Sequence, residues 1–138
     1  MALNPQPDAP VYKSVGGIGR VFKALRYSMQ GLRAALRFEA AFRQEAALAL
    51  VMIPAAFFLG RNALEILLLI AVVVLVLIVE LLNSAMEAVA DAITTDTHPL
   101  IGRAKDIGSA AVLMALLLAG GTWATVAGLR FAGLAILP

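Results

Sequence analysis

Ile78-Val79-Glu80-Leu81-Leu82-Asn83-Ser84-Ala85-Met86-Glu87-Ala88-Val89-Ala90-Asp91 is the stretch whose reading decides the fold. Immediately before its first carboxylate, Ile66 to Val79 is an unbroken run of fourteen apolar residues, too greasy for a solvated helix. Carboxylates then appear at Glu80, Glu87 and Asp91, with an amide at Asn83 and a hydroxyl at Ser84. At 3.6 residues per turn these five side chains fall within an arc of about 100° on one helix face. Ionisable groups on a membrane-type helix are expensive, so such a stripe reads as a functional site facing the interior of a helix bundle.

Working outward, composition supports the membrane. The chain of 138 residues is 62% hydrophobic and 14% charged. Its mean hydropathy is +0.91. A soluble domain of this size cannot hide that much apolar surface, whereas a bilayer can. One domain is expected, covering residues 16–138. Cysteine is absent, which excludes disulfides, thiolate metal sites and a thiol nucleophile. No nucleic-acid partner is expected.

Residues 1–15 hold three of the six prolines (Pro5, Pro7, Pro10) and show no periodicity, so they read as a disordered tail and not as a signal peptide. From residue 16 to 38 the pattern turns helical. Ile18, Val21, Phe22, Leu25, Met29, Leu32 and Leu36 share one face, and Arg20, Lys23, Arg26, Arg33 and Arg37 occupy the rest. This is a basic amphipathic helix suited to lying along lipid headgroups, with Tyr27 on its basic side. Three spans follow, at about 39–59, 63–91 and 107–129. Gly60-Arg61-Asn62 joins the first two as a tight hairpin, and 94–106 reads as a polar loop. The third span is rich in small residues suited to close helix contacts, and Trp123 is placed to anchor its far end at the interface.

Nine of the eleven Lys and Arg residues lie in the N-terminal segment or in 94–106; only Arg61 and Arg130 lie on the other side. The positive-inside rule puts the acidic end of the second span, the surface helix and the 94–106 segment in the cytoplasm. Carboxylates (Glu39, Glu80, Glu87, Asp91, Asp96, Asp106), cations (Arg20, Arg103, Lys105) and His98 therefore gather on the face that meets ATP. Phosphoryl transfer uses such parts. Carboxylates hold Mg²⁺, cations neutralise phosphoryl oxygens, and a carboxylate takes the proton of the attacking hydroxyl. Glu80, deepest in the apolar run, is the group suited to that last role. No Walker A motif and no protein-kinase H-R-D or D-F-G set is present. A proton-coupled transporter subunit is the rival reading, but its carboxylates belong near the midplane and here they lie toward one end.

Four blocks carry a more specific signal: Gly31-Leu-Arg-Ala-Ala35, Glu39-Ala-Ala-Phe-Arg-Gln-Glu45, Val79-Glu80-Leu-Leu-Asn-Ser-Ala-Met-Glu87, and Gly102-Arg-Ala-Lys-Asp106 followed by Gly108-Ser-Ala-Ala111. In order and spacing they resemble the prokaryotic diacylglycerol kinase family of small integral-membrane lipid kinases, over about residues 18–126. The resemblance implies an all-α fold with a surface helix and three transmembrane helices. It also implies a homotrimer in the bacterial inner membrane with active sites shared between subunits. It further implies phosphorylation of diacylglycerol to phosphatidic acid by ATP and Mg²⁺, with undecaprenol as the alternative lipid. On matching positions Glu80 is the implied base, and Glu39 and Glu87 are the Mg²⁺–ATP carboxylates. Arg20, Tyr27, Asp96, Thr97, His98, Lys105 and Asp106 are implied nucleotide contacts. Ala41, Phe42, Arg43, Gln44, Glu45, Asn83 and Ser109 are implied, with Glu80, to line the lipid site. The chain departs from the family at Ser28-Met29-Gln30-Gly31, where Ser-Trp-Lys-Gly is usual, and at Asp96, where glutamate is usual.

Overall fold

The computed structural model of the chain describes residues 17–93 and 98–133; the expected tail at 1–15 lies outside them. Every regular element among the described residues is helical: α1 (Ile18–Phe38), α2 (Ala40–Leu59), α3 (Ala63–Ile93) and α4 (Pro99–Phe131). The described residues divide into two compact units, one up to Arg33 and one from Ala34 onward.

In the first unit, α1 carries the amphipathic pattern into three dimensions. Ile18, Val21, Phe22, Leu25, Met29 and Leu32 are all exposed, which suits a helix whose apolar stripe enters lipid.

In the second unit, α3 is the common partner. It packs most extensively on α4 and next on α2, while α2 and α4 touch little. The contacts are made by small side chains. Ala115 and Ala119 of α4 meet Val72 and Val76 of α3 in one buried cluster. Ala56, Leu69 and Val126 form a second. Between helices in lipid there is no hydrophobic driving force, so close packing and interhelical hydrogen bonds carry the association. Trp123 supplies both: it packs against the two clusters and donates its indole N–H to the Leu69 carbonyl at 3.2 Å. It is therefore a helix–helix contact.

The outward faces are inverted relative to a soluble protein. Leu50, Phe57, Phe58, Leu67, Met114 and Leu117 are all exposed. Three helices, α2, α3 and α4, are long and apolar enough to cross a membrane, and the chain is a multi-pass membrane protein. α2 has 20 residues, the minimum for a crossing. α3 with 31 and α4 with 33 are roughly 46 and 50 Å long, well beyond a hydrocarbon core of about 30 Å.

The helix ends are closed locally. Asn62 Oδ1 accepts from the Glu65 backbone N–H at 2.8 Å, and Glu65 Oε2 accepts from the Arg61 N–H at 2.8 Å, a reciprocal cap at the start of α3. The Arg61 guanidinium donates to the Arg130 carbonyl at the end of α4. Gly60 is required in this hairpin, because a Cβ there would stand 2.6 Å from Ile66 Cγ1. At the other end, α4 starts at Pro99, eight residues before the expected 107. Pro99 occupies the first turn, where a missing N–H costs nothing, and His98 caps it by accepting from the Leu100 N–H at 3.3 Å. Residues 99–106 are thus a helical extension and not a polar loop. That correction gives Arg103, Lys105 and Asp106 fixed positions on one rod.

Candidate functional site

The C-terminal half of α3 supplies the chemistry. Glu80 is 5% exposed and Ser84 9%, so both face the bundle. Glu87, two turns on, is half-buried, and Asp91 is exposed. The stripe therefore runs from the interior outward along one helix face. Asn83 donates from Nδ2 to Glu87 Oε1 at 3.0 Å, an i,i+4 bond that orients the carboxylate. The other amide atom, Asn83 Oδ1, is buried and has no partner among the described residues. It lies against Gly108 of α4: a Cβ there would collide with Asn83 Oδ1 and Met86 Cε. Gly108 thus lets α4 come close enough to enclose the amide. Gly108→Ala is expected to displace Asn83 and with it Glu87, lowering kcat about tenfold while the chain still folds, since a misplacement of about 1 Å suffices. Turnover measured beside thermal stability checks this.

Four carboxylates are linked electrostatically at this end of the bundle. Glu87 and Glu39 lie within Coulombic reach of Glu80, and Glu80 lies within reach of Glu45. Glu39 stands at the N-cap of α2, yet its side chain makes no capping bond. The carboxylate is near the positive end of the helix dipole and is not spent on holding the helix. Glu45 Oε2 is buried without a partner among the described residues. Carboxylates crowded in a low-dielectric setting are costly unless a cation or a donated proton joins them. The donor set therefore suits Mg²⁺ together with a hydroxyl-bearing substrate. Among the described residues no group of three or more Asp, Glu or His side chains forms a metal cage. Mg²⁺ needs none, since it binds through one or two carboxylates plus phosphates and retained waters.

Beside the carboxylates, α2, α3 and α4 line a half-open apolar pocket of about 170 Å³ that includes Leu48, Met52, Val73, Leu77 and Leu116, with Glu45 its single ionisable lining residue.

The remaining expected residues divide clearly. Lys105 reaches across from α4 to Asp91 Oδ1 at 2.5 Å. Its ammonium is also within Coulombic reach of Glu87. Asp106 and Ser109 are exposed on the same helix. His98 uses Nδ1 as the α4 cap. Ala41, Arg43 and Gln44 are exposed, whereas Phe42 is 4% exposed and belongs to the internal packing. Arg43 donates to the Arg37 carbonyl at 3.3 Å. Arg20 and Tyr27 are exposed on α1, in the unit that ends at Arg33. Asp96 and Thr97 lie outside the described residues. Two features escape a reading of the sequence. Gly108 stands in one of the quoted blocks, but nothing in the sequence sets it against Asn83, and nothing pairs Asp91 of the acidic stripe with Lys105. Only a helical 99–106 segment would have put Lys105 opposite Asp91.

Residues 26–127 match the model of the family described as prokaryotic diacylglycerol kinase. The chain belongs to that family. The match takes in all of α2 and α3 and most of α4, hence every carboxylate of the cluster, and leaves Arg20 outside. Among curated proteins, the chain is 49% identical over 113 residues to a diacylglycerol kinase of Haemophilus influenzae, covering 82% of this chain and 95% of that protein. It is 48% identical over 124 residues to a diacylglycerol kinase of Pseudomonas aeruginosa, covering 90% and 98%. It is 53% identical over 107 residues to a diacylglycerol kinase of Escherichia coli, covering 78% and 88%.

Proposed function

We propose that this chain is an ATP-dependent diacylglycerol kinase, making phosphatidic acid at the cytoplasmic face of the bacterial inner membrane. One observation carries the reading: a buried Glu80 within electrostatic reach of Glu39, Glu45 and Glu87 at one end of a membrane bundle, in a chain of this family. The identity to kinases from three organisms supports the substrate class.

In the reaction, the lipid hydroxyl oxygen attacks the γ-phosphorus of ATP, the bond to the β–γ bridging oxygen breaks, and ADP leaves. The hydroxyl proton passes to the Glu80 carboxylate, whose low-solvent setting keeps water from competing. Glu39 and Glu87 are the residues that would hold Mg²⁺, which would supply neutralising charge to the phosphates. Asn83 fixes Glu87 for that task. Lys105 meets phosphate oxygens as a point charge, Asp106 and His98 contact the nucleotide, and the family resemblance adds Arg20, Tyr27, Asp96 and Thr97 as nucleotide contacts. On the lipid side, Glu45 accepts from a glycerol hydroxyl and the apolar pocket beside it takes acyl chain. Residues 41–44 and Ser109 flank that path. The working unit is a homotrimer with sites shared between subunits.

Purified protein with Mg²⁺ and γ-labelled ATP, offered diacylglycerol and undecaprenol in parallel micelles, tests the assignment. Label in phosphatidic acid is the expected outcome. Label chiefly in polyprenyl phosphate would move the chain to a different lipid, and label in neither would refute kinase activity.

A further inference from the structure

We propose that Asp91 is a positioning residue for nucleotide binding: it holds the Lys105 ammonium beside Glu87. The inference rests on the kinase reading above and adds to it a residue with no role there. Lysine is a poor pre-set ligand on its own, because its four-carbon stem carries large rotamer freedom. Here the stem is tethered. Lys105 Nζ lies 2.5 Å from Asp91 Oδ1, across from α4 to α3.

Asp91 sits one turn beyond Glu87 on the same face of α3. The tether therefore brings the ammonium into reach of Glu87, the carboxylate proposed to share Mg²⁺ with the phosphates. An ammonium has three N–H donors, so one bond to Asp91 leaves two for phosphate oxygens. The pair is solvent-accessible, with side chains 38% and 62% exposed for Lys105 and Asp91. Exposed pairs of this kind add little to fold stability. A carboxylate placed here accordingly acts on where the cation stands, and the effect should fall on ATP and not on the fold or the lipid.

The test is steady-state kinetics on full-length protein in diacylglycerol micelles, comparing wild type, Asp91→Asn, Asp91→Glu, Lys105→Met and the double variant Asp91→Asn/Lys105→Met. Asp91→Asn should raise KM for ATP about three- to fivefold, with KM for diacylglycerol and thermal stability unchanged and kcat within about twofold. Asp91→Glu should restore most of the ATP affinity. In the Lys105→Met background the Asp91→Asn change should add nothing further, because both act through one ammonium. An unchanged KM for ATP in Asp91→Asn, or additive effects in the double variant, would overturn the positioning role while leaving the kinase reading intact. Wild type that phosphorylates no lipid would instead bring down the kinase reading and this inference with it.

Discussion

Glu80→Gln should lower kcat by about a thousandfold, the scale on which a positioned general base contributes, with KM for ATP little changed. Glutamine matches the size of glutamate and can sit at the 5% exposed position without opening a cavity. It also removes a negative charge from among Glu39, Glu45 and Glu87, so the fold should be no less stable. Loss of turnover with retained thermal stability therefore points to the proton-accepting role. Near-wild-type turnover in a folded variant would exclude it.

Glu87→Gln acts on a different quantity. The glutamine Oε1 still accepts from Asn83 Nδ2, so the 3.0 Å bond that orients this side chain can persist. What is lost is the negative charge proposed to hold Mg²⁺. The concentrations of Mg²⁺ and ATP needed for half-maximal rate should both rise, by about 10- to 100-fold, and higher Mg²⁺ should recover part of the rate. The contrast between the variants is diagnostic, since Glu80→Gln lowers the ceiling and Glu87→Gln moves the approach to it. A Glu87→Gln enzyme with unchanged Mg²⁺ and ATP dependence would remove Glu87 from the metal.

The core of this site is legible in the sequence because burial of charge is costly. A carboxylate at the end of fourteen apolar residues has few bland explanations, and helical periodicity alone puts Asn83 and Glu87 on its face. Helix number and the amphipathic surface helix follow from composition and periodicity in the same way. What stayed hidden depends on partners distant in sequence. The charges of 99–106 suggest a solvated loop, yet Pro99 and the His98 cap start a helix there at little cost. Trp123 lies near a span's end, and nothing in the sequence tells that its N–H finds the Leu69 carbonyl 54 residues away. Gly108 belongs to a quoted block, but helical periodicity gives it no packing role that Gly120 and Gly121 lack. Yet a Cβ at either of those meets nothing within 4 Å, and one at Gly108 would strike Asn83.

The central claim is that a carboxylate activates the lipid hydroxyl and does not itself carry the phosphoryl group. The measurement that tests it most directly is the stereochemical course of transfer from ATP made chiral at the γ-phosphorus with oxygen isotopes. Direct attack on ATP by a hydroxyl that yields its proton to Glu80 predicts inversion at phosphorus in the phosphatidic acid formed. Retention would mean two displacements through a phosphorylated side chain, and would contradict the account.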